Sequence, residues 1–255
     1  MRSRLDPSFS EFLLRIGDGT EPFAVDDMVK LPDDIVMKWE GEQSVERLID
    51  EVFPELEKNA SDKSYTSQRS LITPKNDIVE KLNQKVTSIF PEDEVVYHSF
   101  DMAKDDLYMA KDDPNNFYGL CNGTRLPCRG LYRNFINAEI VTGSCSGLRV
   151  LIPRIPMEPP KEVVLPFKFV RKQFPVRAGF ALTINNAQGQ TIPHVGIYLP
   201  EPVFSHEQLY VALSRGVSII TTKVLVKNGV LLDVSGTCTK NVVFQDVLRS
   251  SAIAE

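Results

Sequence analysis

A chain of 255 residues with 42% hydrophobic content can bury one large core or two small ones. No apolar run reaches the roughly 18 residues of a membrane helix, and the opening MRSRLDPSFSEF lacks the apolar core of a secretory signal, so an intracellular protein without membrane partners is expected. The net charge of −5 argues against a general nucleic-acid-coating protein, but residues 1–60 hold 7 Lys and Arg against 15 Asp and Glu, leaving 22 against 19 in the remainder.

In chain order, Ser8 and Glu11 have the spacing of a capping box and lead into Phe12-Leu13-Leu14-Arg15-Ile16, which predicts a short helix ending at Gly17. The acidic stretch Asp26 to Glu42 reads as connecting surface. A second helix is predicted from Ser44 through Val45, Leu48, Ile49 and Val52 to Pro54. Arg69 to Thr73 reads as a strand, Pro74 to Asp77 as a capped turn, and Ile78, Val79, Leu82, Val86 and Ile89 recur at helical spacing. Such a unit places Thr73 and Asn76 at the carboxyl end of a strand, where open α/β sheets bind ligands.

Val95 to Phe100 is a further candidate strand, followed by two copies of MAKDD at 102–106 and 109–113, too short for a repeat architecture. Short apolar segments broken by Gly and Pro follow at Ile136 to Thr142, Leu148 to Ile152 and Pro166 to Phe174, the pattern of a small β subdomain. Val195 to Leu199 and Thr222 to Val226 read as buried strands, and Lys240 to Arg249 as a closing helix. Alternation of β and α with one all-β insertion predicts an α/β domain carrying a β subdomain. Cys121, Cys128, Cys145 and Cys238 form no C-x-x-C pair and the three histidines do not share their spacing, so reduced thiols and no metal site are expected. Arg125, Arg129 and Arg133, then Lys168, Arg171, Lys172 and Arg177, form two local basic clusters.

Two polar blocks stand out against this background: Thr183 to Thr191 (TINNAQGQT) and Gln208 to Arg215 (QLYVALSR). Each falls beside a predicted strand or helix end, where unpaired backbone N–H groups suit phosphates. With RSLITPKND at 69–77, LCNGTRL at 120–126, IPRI at 152–155 and the FSEFLLRIGDGT opening, they resemble the C-terminal motor motifs of the Pif-one-like DNA helicases, the 5′-to-3′ branch of superfamily one that includes the Helitron helicases.

That resemblance implies a RecA-like second motor lobe over residues 67–255, interrupted at about 119–172 by an SH3-like β insertion and preceded by a helical lead-in at 1–66. It implies a chain that grips single-stranded DNA through Thr73, Asn76, Thr183, Asn186, Gln188 and Ser214, approaches nucleotide through Gly189 and Gln190, and reaches the γ-phosphate with Arg215 as an arginine finger. ATP and Mg2+ would serve an intact two-lobe member. The family further implies a monomer acting in DNA repair, recombination or telomere maintenance, in the nucleus or in mitochondria. Thr73, Gln188 and Arg215 are expected along one edge of a parallel sheet.

The sequence departs from the family in three places. There is no G-x-x-x-x-G-K-[ST] loop and no strand ending in paired acids, so this chain alone is expected to bind neither ATP nor Mg2+ and needs a first lobe from elsewhere. Asn186 stands where the family carries Lys, and the segment before Gly119 is short. The alternatives are a non-catalytic module for single-stranded nucleic acid and a truncated helicase product.

Overall fold

The structure, a computed structural model, describes residues 6–91, 94–103, 120, 124–141, 145–158, 169–231 and 234–246. In chain order these form α1 (Pro7–Asp18), β1 (Phe23–Val25), β2 (Met28–Lys30), β3 (Val36–Met37), α2 (Gln43–Val52), α3 (Leu56–Asn59), α4 (Lys63–Ser67), β4 (Arg69–Thr73) and α5 (Asn76–Ser88). Next come β5 (Phe100–Ala103), β6 (Cys128–Leu131), β7 (Phe135–Glu139), β8 (Arg149–Pro153), β9 (Ile155–Met157) and β10 (Phe169–Gln173). The chain finishes with β11 (Ala181–Thr183), β12 (His194–Leu199), α6 (Gln208–Leu213), β13 (Thr222–Val226) and β14 (Cys238–Lys240). It divides into two compact units, residues 1–90 with 179–255, and residues 91–178.

The first unit is built on a five-stranded sheet in the order β11-β4-β12-β13-β3, parallel throughout. Parallel strands are covered on both faces, which is why β4, β12 and β13 read as nearly continuous apolar runs. Their side chains still sort with a period of two. Ile72, Val195, Ile197, Leu199, Val224 and Val226 join α1 and α6 in one core. Leu71, Ala181, Tyr198 and Leu225 join α2 and α5 in the other. Helix α2 lies so close that a Cβ at Gly196 would sit 2.7 Å from both Leu71 Cδ2 and Val52 Cγ2, so this position has no room for a side chain.

Among the described residues, strand β11 is at the sheet edge and pairs only with β4. Asn83 of α5 takes the place of a further strand: its Nδ2 donates to the Ala181 carbonyl at 3.2 Å and its Oδ1 accepts the Ala181 N–H at 2.8 Å, both buried. An antiparallel sheet, β1-β2-β14, belongs to the same unit.

Helix α1 is capped by Asp6, not Ser8: the Asp6 carboxylate accepts the Phe9 N–H at 3.1 Å, and the helix closes on Gly19 at φ 67° rather than at Gly17. Helix α5 starts at Asn76, inside the predicted turn of Pro74 to Asp77, and its N-cap Lys75 makes no side-chain capping bond. The stretch Asp26 to Glu42 is not mere surface. It contains β2 and β3, and Val29, Leu31 and Ile35, set among its acids, are fully buried. The first 66 residues therefore supply β3 to the edge of the parallel sheet and α1 and α2 to its two cores. Residues 94–99 have no regular structure, and β5 begins only at Phe100. The closing helix is absent at its start, because Cys238–Lys240 pairs with β2 instead and 241–244 is irregular; residues 247–249 lie outside the described residues, as do most of the MAKDD copies.

The unit of residues 91–178 holds two antiparallel three-stranded sheets, β5-β10-β9 and β6-β7-β8. Ile136, Ala138, Ile140, Val150 and Ile152 form its buried core. The three apolar segments predicted here correspond to β7, β8 and β10.

Candidate functional site

Thr73 and Thr183 end neighbouring parallel strands and face each other in register. The Thr73 carbonyl accepts the Ile184 N–H at 3.0 Å, carrying the ladder one residue further. Thr183 then turns the chain, its Oγ1 accepting the Asn186 N–H at 3.2 Å and its carbonyl the Ala187 N–H at 3.0 Å. This is a threonine cap on a short helical turn. Ile184 and Ala187 are fully buried and pin the turn to the core, which leaves Asn186, Gln188 and Gly189 exposed. Gly189 has φ +82° with open space around it, so backbone conformation and not crowding calls for glycine.

Arg215 closes that turn from the second block. Its Nη1 donates to the carbonyls of Ala187 at 3.3 Å and Gln190 at 3.1 Å. Its Nε donates to the Val211 carbonyl at 2.8 Å and its Nη2 to the Ser214 hydroxyl at 2.8 Å. Ser214 in turn donates to the Val211 carbonyl at 3.1 Å. The last carbonyls of a helix have no partner within it, and a guanidinium is a natural one. A single side chain, only 8% exposed, thus finishes both the 184–190 turn and α6. Gln208, at the other end of α6, is buried, and its Oε1 accepts the Phe204 N–H at 3.0 Å.

Asn76 is exposed at the first position of α5, directly beyond β4. The first-turn amides of α5 open there, a suitable place for an anion. Lys75 beside it is a further candidate, since a cation between a strand end and a helix start is itself a phosphate signal. Its Nζ pairs with Glu201, which holds the lysine pKa above its ordinary value. Both side chains are exposed, so this pair is weak and exchangeable.

The expected single edge is not what joins these groups. Thr73 and Thr183 lie at the carboxyl edge, whereas the Arg215 carbonyl accepts the Ile192 N–H at 2.9 Å, two residues before β12, and Gly216 packs against Val195 and Thr222 at the opposite edge. Residues 184–192 run from one edge back to the other, and the Arg215 side chain holds that crossover. Thr73, for its part, is fully buried and its hydroxyl has no hydrogen-bond partner among the described residues. Among the described residues no cluster of three His, Cys, Asp or Glu could hold a metal ion, and no helix is long and apolar enough to cross a membrane.

No protein-family model matches the chain. A segment of 72 residues is 40% identical to the ATP-dependent DNA helicase PIF6 of Trypanosoma brucei brucei, covering 27% of this chain and 8% of that protein. A segment of 77 residues is 40% identical to the ATP-dependent DNA helicase RRM3 of Saccharomyces cerevisiae, covering 30% of this chain and 10% of that protein. In fold, 100% of this chain matches 55% of the Bacteroides Pif1 helicase solved with ADP-AlF3 and single-stranded DNA, with a TM-score of 0.57 and 18% identity. The Candida albicans Pif1 helicase is matched over 59% of its chain, with a TM-score of 0.54 and 17% identity. The chain thus spans little more than half of the Pif1 structures it resembles.

Proposed function

We infer that this chain, with its likeness to Pif1-type helicases in both sequence and fold, is the C-terminal motor half of an ATP-dependent DNA helicase. The observation that carries the reading is the parallel five-stranded sheet bearing both polar blocks, in a fold that matches little more than half of a two-lobe motor. In such a motor two lobes close on ATP while gripping single-stranded DNA, so that each closure advances the strand.

Asn76, Asn186 and Gln188 are the exposed members of the implied DNA row, and the α5 amides stand beside Asn76. They meet phosphates directly in this reading, with Thr183 and Ser214 acting as positioning residues through the bonds they already make. Thr73 would have to be uncovered first. Gly189 and Gln190 approach the nucleotide, and Arg215 exchanges its internal partners for the γ-phosphate when the lobes close. ATP and Mg2+ are held by the first lobe, and the SH3-like insertion, at about 119–172, falls within the compact unit of residues 91–178.

The test compares the purified chain with the chain joined to a Pif1-type first lobe. The chain alone should release no phosphate above background, with or without oligothymidine, and the joined protein should show DNA-stimulated release that Arg215→Ala removes. Arginine fingers are worth about 10³ to 10⁵ in rate, but only with nucleotide already positioned. Steady phosphate release from the 255-residue chain alone would refute the assignment of this half. The internal engagement of Arg215 favours a second reading, a non-catalytic module for single-stranded nucleic acid, which a joined protein without ATPase activity but with DNA binding would support.

A further inference from the structure

The sheet β6-β7-β8 has one buried and one partly exposed face. Ile136, Ala138, Val150 and Ile152 point into the core, so the alternate positions Phe135, Asn137 and Glu139 of β7, and Arg149 and Leu151 of β8, lie on the other face. At its tip the Tyr132 N–H donates to the Phe135 carbonyl at 3.0 Å, closing a tight turn through Arg133 and Asn134. The Tyr132 ring stacks on Phe135 with centroids 4.6 Å apart and planes at 23°. It lies down over Gly130, where a Cβ would come within 2.9 Å of the ring. Tyr132 nevertheless remains 50% exposed and Leu151 55% exposed.

The charge on this face is positive. Arg129, Arg133 and Arg149 stand there against one carboxylate, Glu139. Glu139 is nearly buried and already serves Arg129 at 3.0 Å, with Arg149 at 4.0 Å. Arg133 at the turn and Arg149 across the sheet are both exposed. Guanidinium groups thus flank an aromatic surface, an arrangement complementary to an anionic backbone with stacked bases.

We propose that the outer face of β6-β7-β8, centred on the Tyr132–Phe135 stack, is a platform for single-stranded nucleic acid: a base stacks on Tyr132 while Arg133 and Arg149 take the flanking phosphates. Stacking on an aromatic ring is sequence-tolerant, and arginines beside it track the backbone. The platform's residues belong to the unit of residues 91–178, and the polar blocks belong to the first unit. It rests on the helicase reading only for the strandedness of its ligand.

The test is fluorescence anisotropy of the full chain with a labelled oligothymidine at low salt. Tyr132→Ala should weaken binding about ten-fold while Tyr132→Phe keeps it, since the ring face and not the hydroxyl stacks; Arg133→Gln should flatten the salt dependence. Equal urea midpoints for wild type and Tyr132→Ala would exclude unfolding as the cause. Tyr132→Trp adds a reporter to a chain whose only tryptophan is Trp39, and its emission should be quenched by the oligonucleotide. Gln188→Ala serves as the comparator in the other unit. If Gln188→Ala weakens binding and Tyr132→Ala does not, the platform is refuted and the helicase reading stands; the reverse pattern supports the platform and removes Gln188 from the DNA row. An unchanged Tyr132→Ala affinity would leave this face to a protein partner, and a wild-type chain that binds no oligonucleotide overturns the proposal.

Discussion

Arg215 and Gln190, 25 residues apart in sequence, are joined by a guanidinium-to-carbonyl hydrogen bond of 3.1 Å. With the matching bond to Ala187, this makes the two polar blocks one mechanical piece: the crossover after β11 cannot shift without disturbing the end of α6. A DNA-dependent movement of Asn186 or Gln188 would therefore be felt at Arg215 directly.

Arg215→Ala should lower stability by about 2–4 kcal/mol, because three backbone carbonyls and a hydroxyl lose a charged donor in a nearly closed space. Urea unfolding of the chain alone would show a lower midpoint. Arg215→Lys should recover only part of the loss, since an ammonium cannot span the same fork. An unchanged midpoint in Arg215→Ala would mean that these bonds do not hold the crossover.

Thr73→Val should be neutral or stabilising by up to about 1 kcal/mol, because the hydroxyl removed is buried and unpartnered. The informative measurement pairs thermal unfolding with oligothymidine binding. A variant of undiminished stability that binds DNA several-fold more weakly would show that Thr73 is uncovered in the DNA complex.

Asn83→Leu removes both hydrogen bonds to Ala181 and leaves a buried backbone N–H and C=O without partners, a loss of about 2–4 kcal/mol. Hydrogen exchange at the Ala181 amide should accelerate well beyond the change in global stability. Exchange that slows or stays constant would contradict the edge-closing role of Asn83.

Asp6 gives a pH prediction. The N–H groups of Ile219 and then Phe9 donate to its carboxylate, holding its pKa below the ordinary aspartate value. A depressed carboxylate contributes stability in full above its unfolded pKa of about 3.9 and loses it as pH falls through the lower folded value. Melting temperatures measured from pH 5 downward should fall less steeply in Asp6→Asn than in the wild type. Parallel curves would show that the bond from Ile219 is not maintained in solution.

Much of the parallel sheet was legible because strands buried on both faces are written as apolar runs, as Leu71-Ile72 and Val195 to Leu199 are. The short strands β2 and β14 were not. Their pairing joins Val29 to Thr239, more than 200 residues apart, and three-residue strands leave no periodicity to read. Val242 and Val243 fell at a spacing that also suits a helix, and the partner strand decided otherwise for the residues before them. The residue types at the site were legible from their motifs. Burial was not, so Thr73 read as a surface contact and Arg215 as a projecting finger, when one is enclosed and the other is the fastening of a turn.

The insertion between α5 and β11 bears on the order in which the chain folds. Asn83 and Ala181 meet across 98 residues of intervening chain, and every contact that seats β11 must first close that loop. Within the inserted unit, β5 and β10 pair so that Phe100 lies opposite Lys172. Once that ladder has formed, only the short flanking segments remain to be closed. Since loop entropy grows as (3/2)RT ln n, the gain is on the order of 1 kcal/mol, or several-fold in the rate at which the edge strand docks. Destabilising β10 should thus slow completion of a parallel sheet to which it contributes no strand.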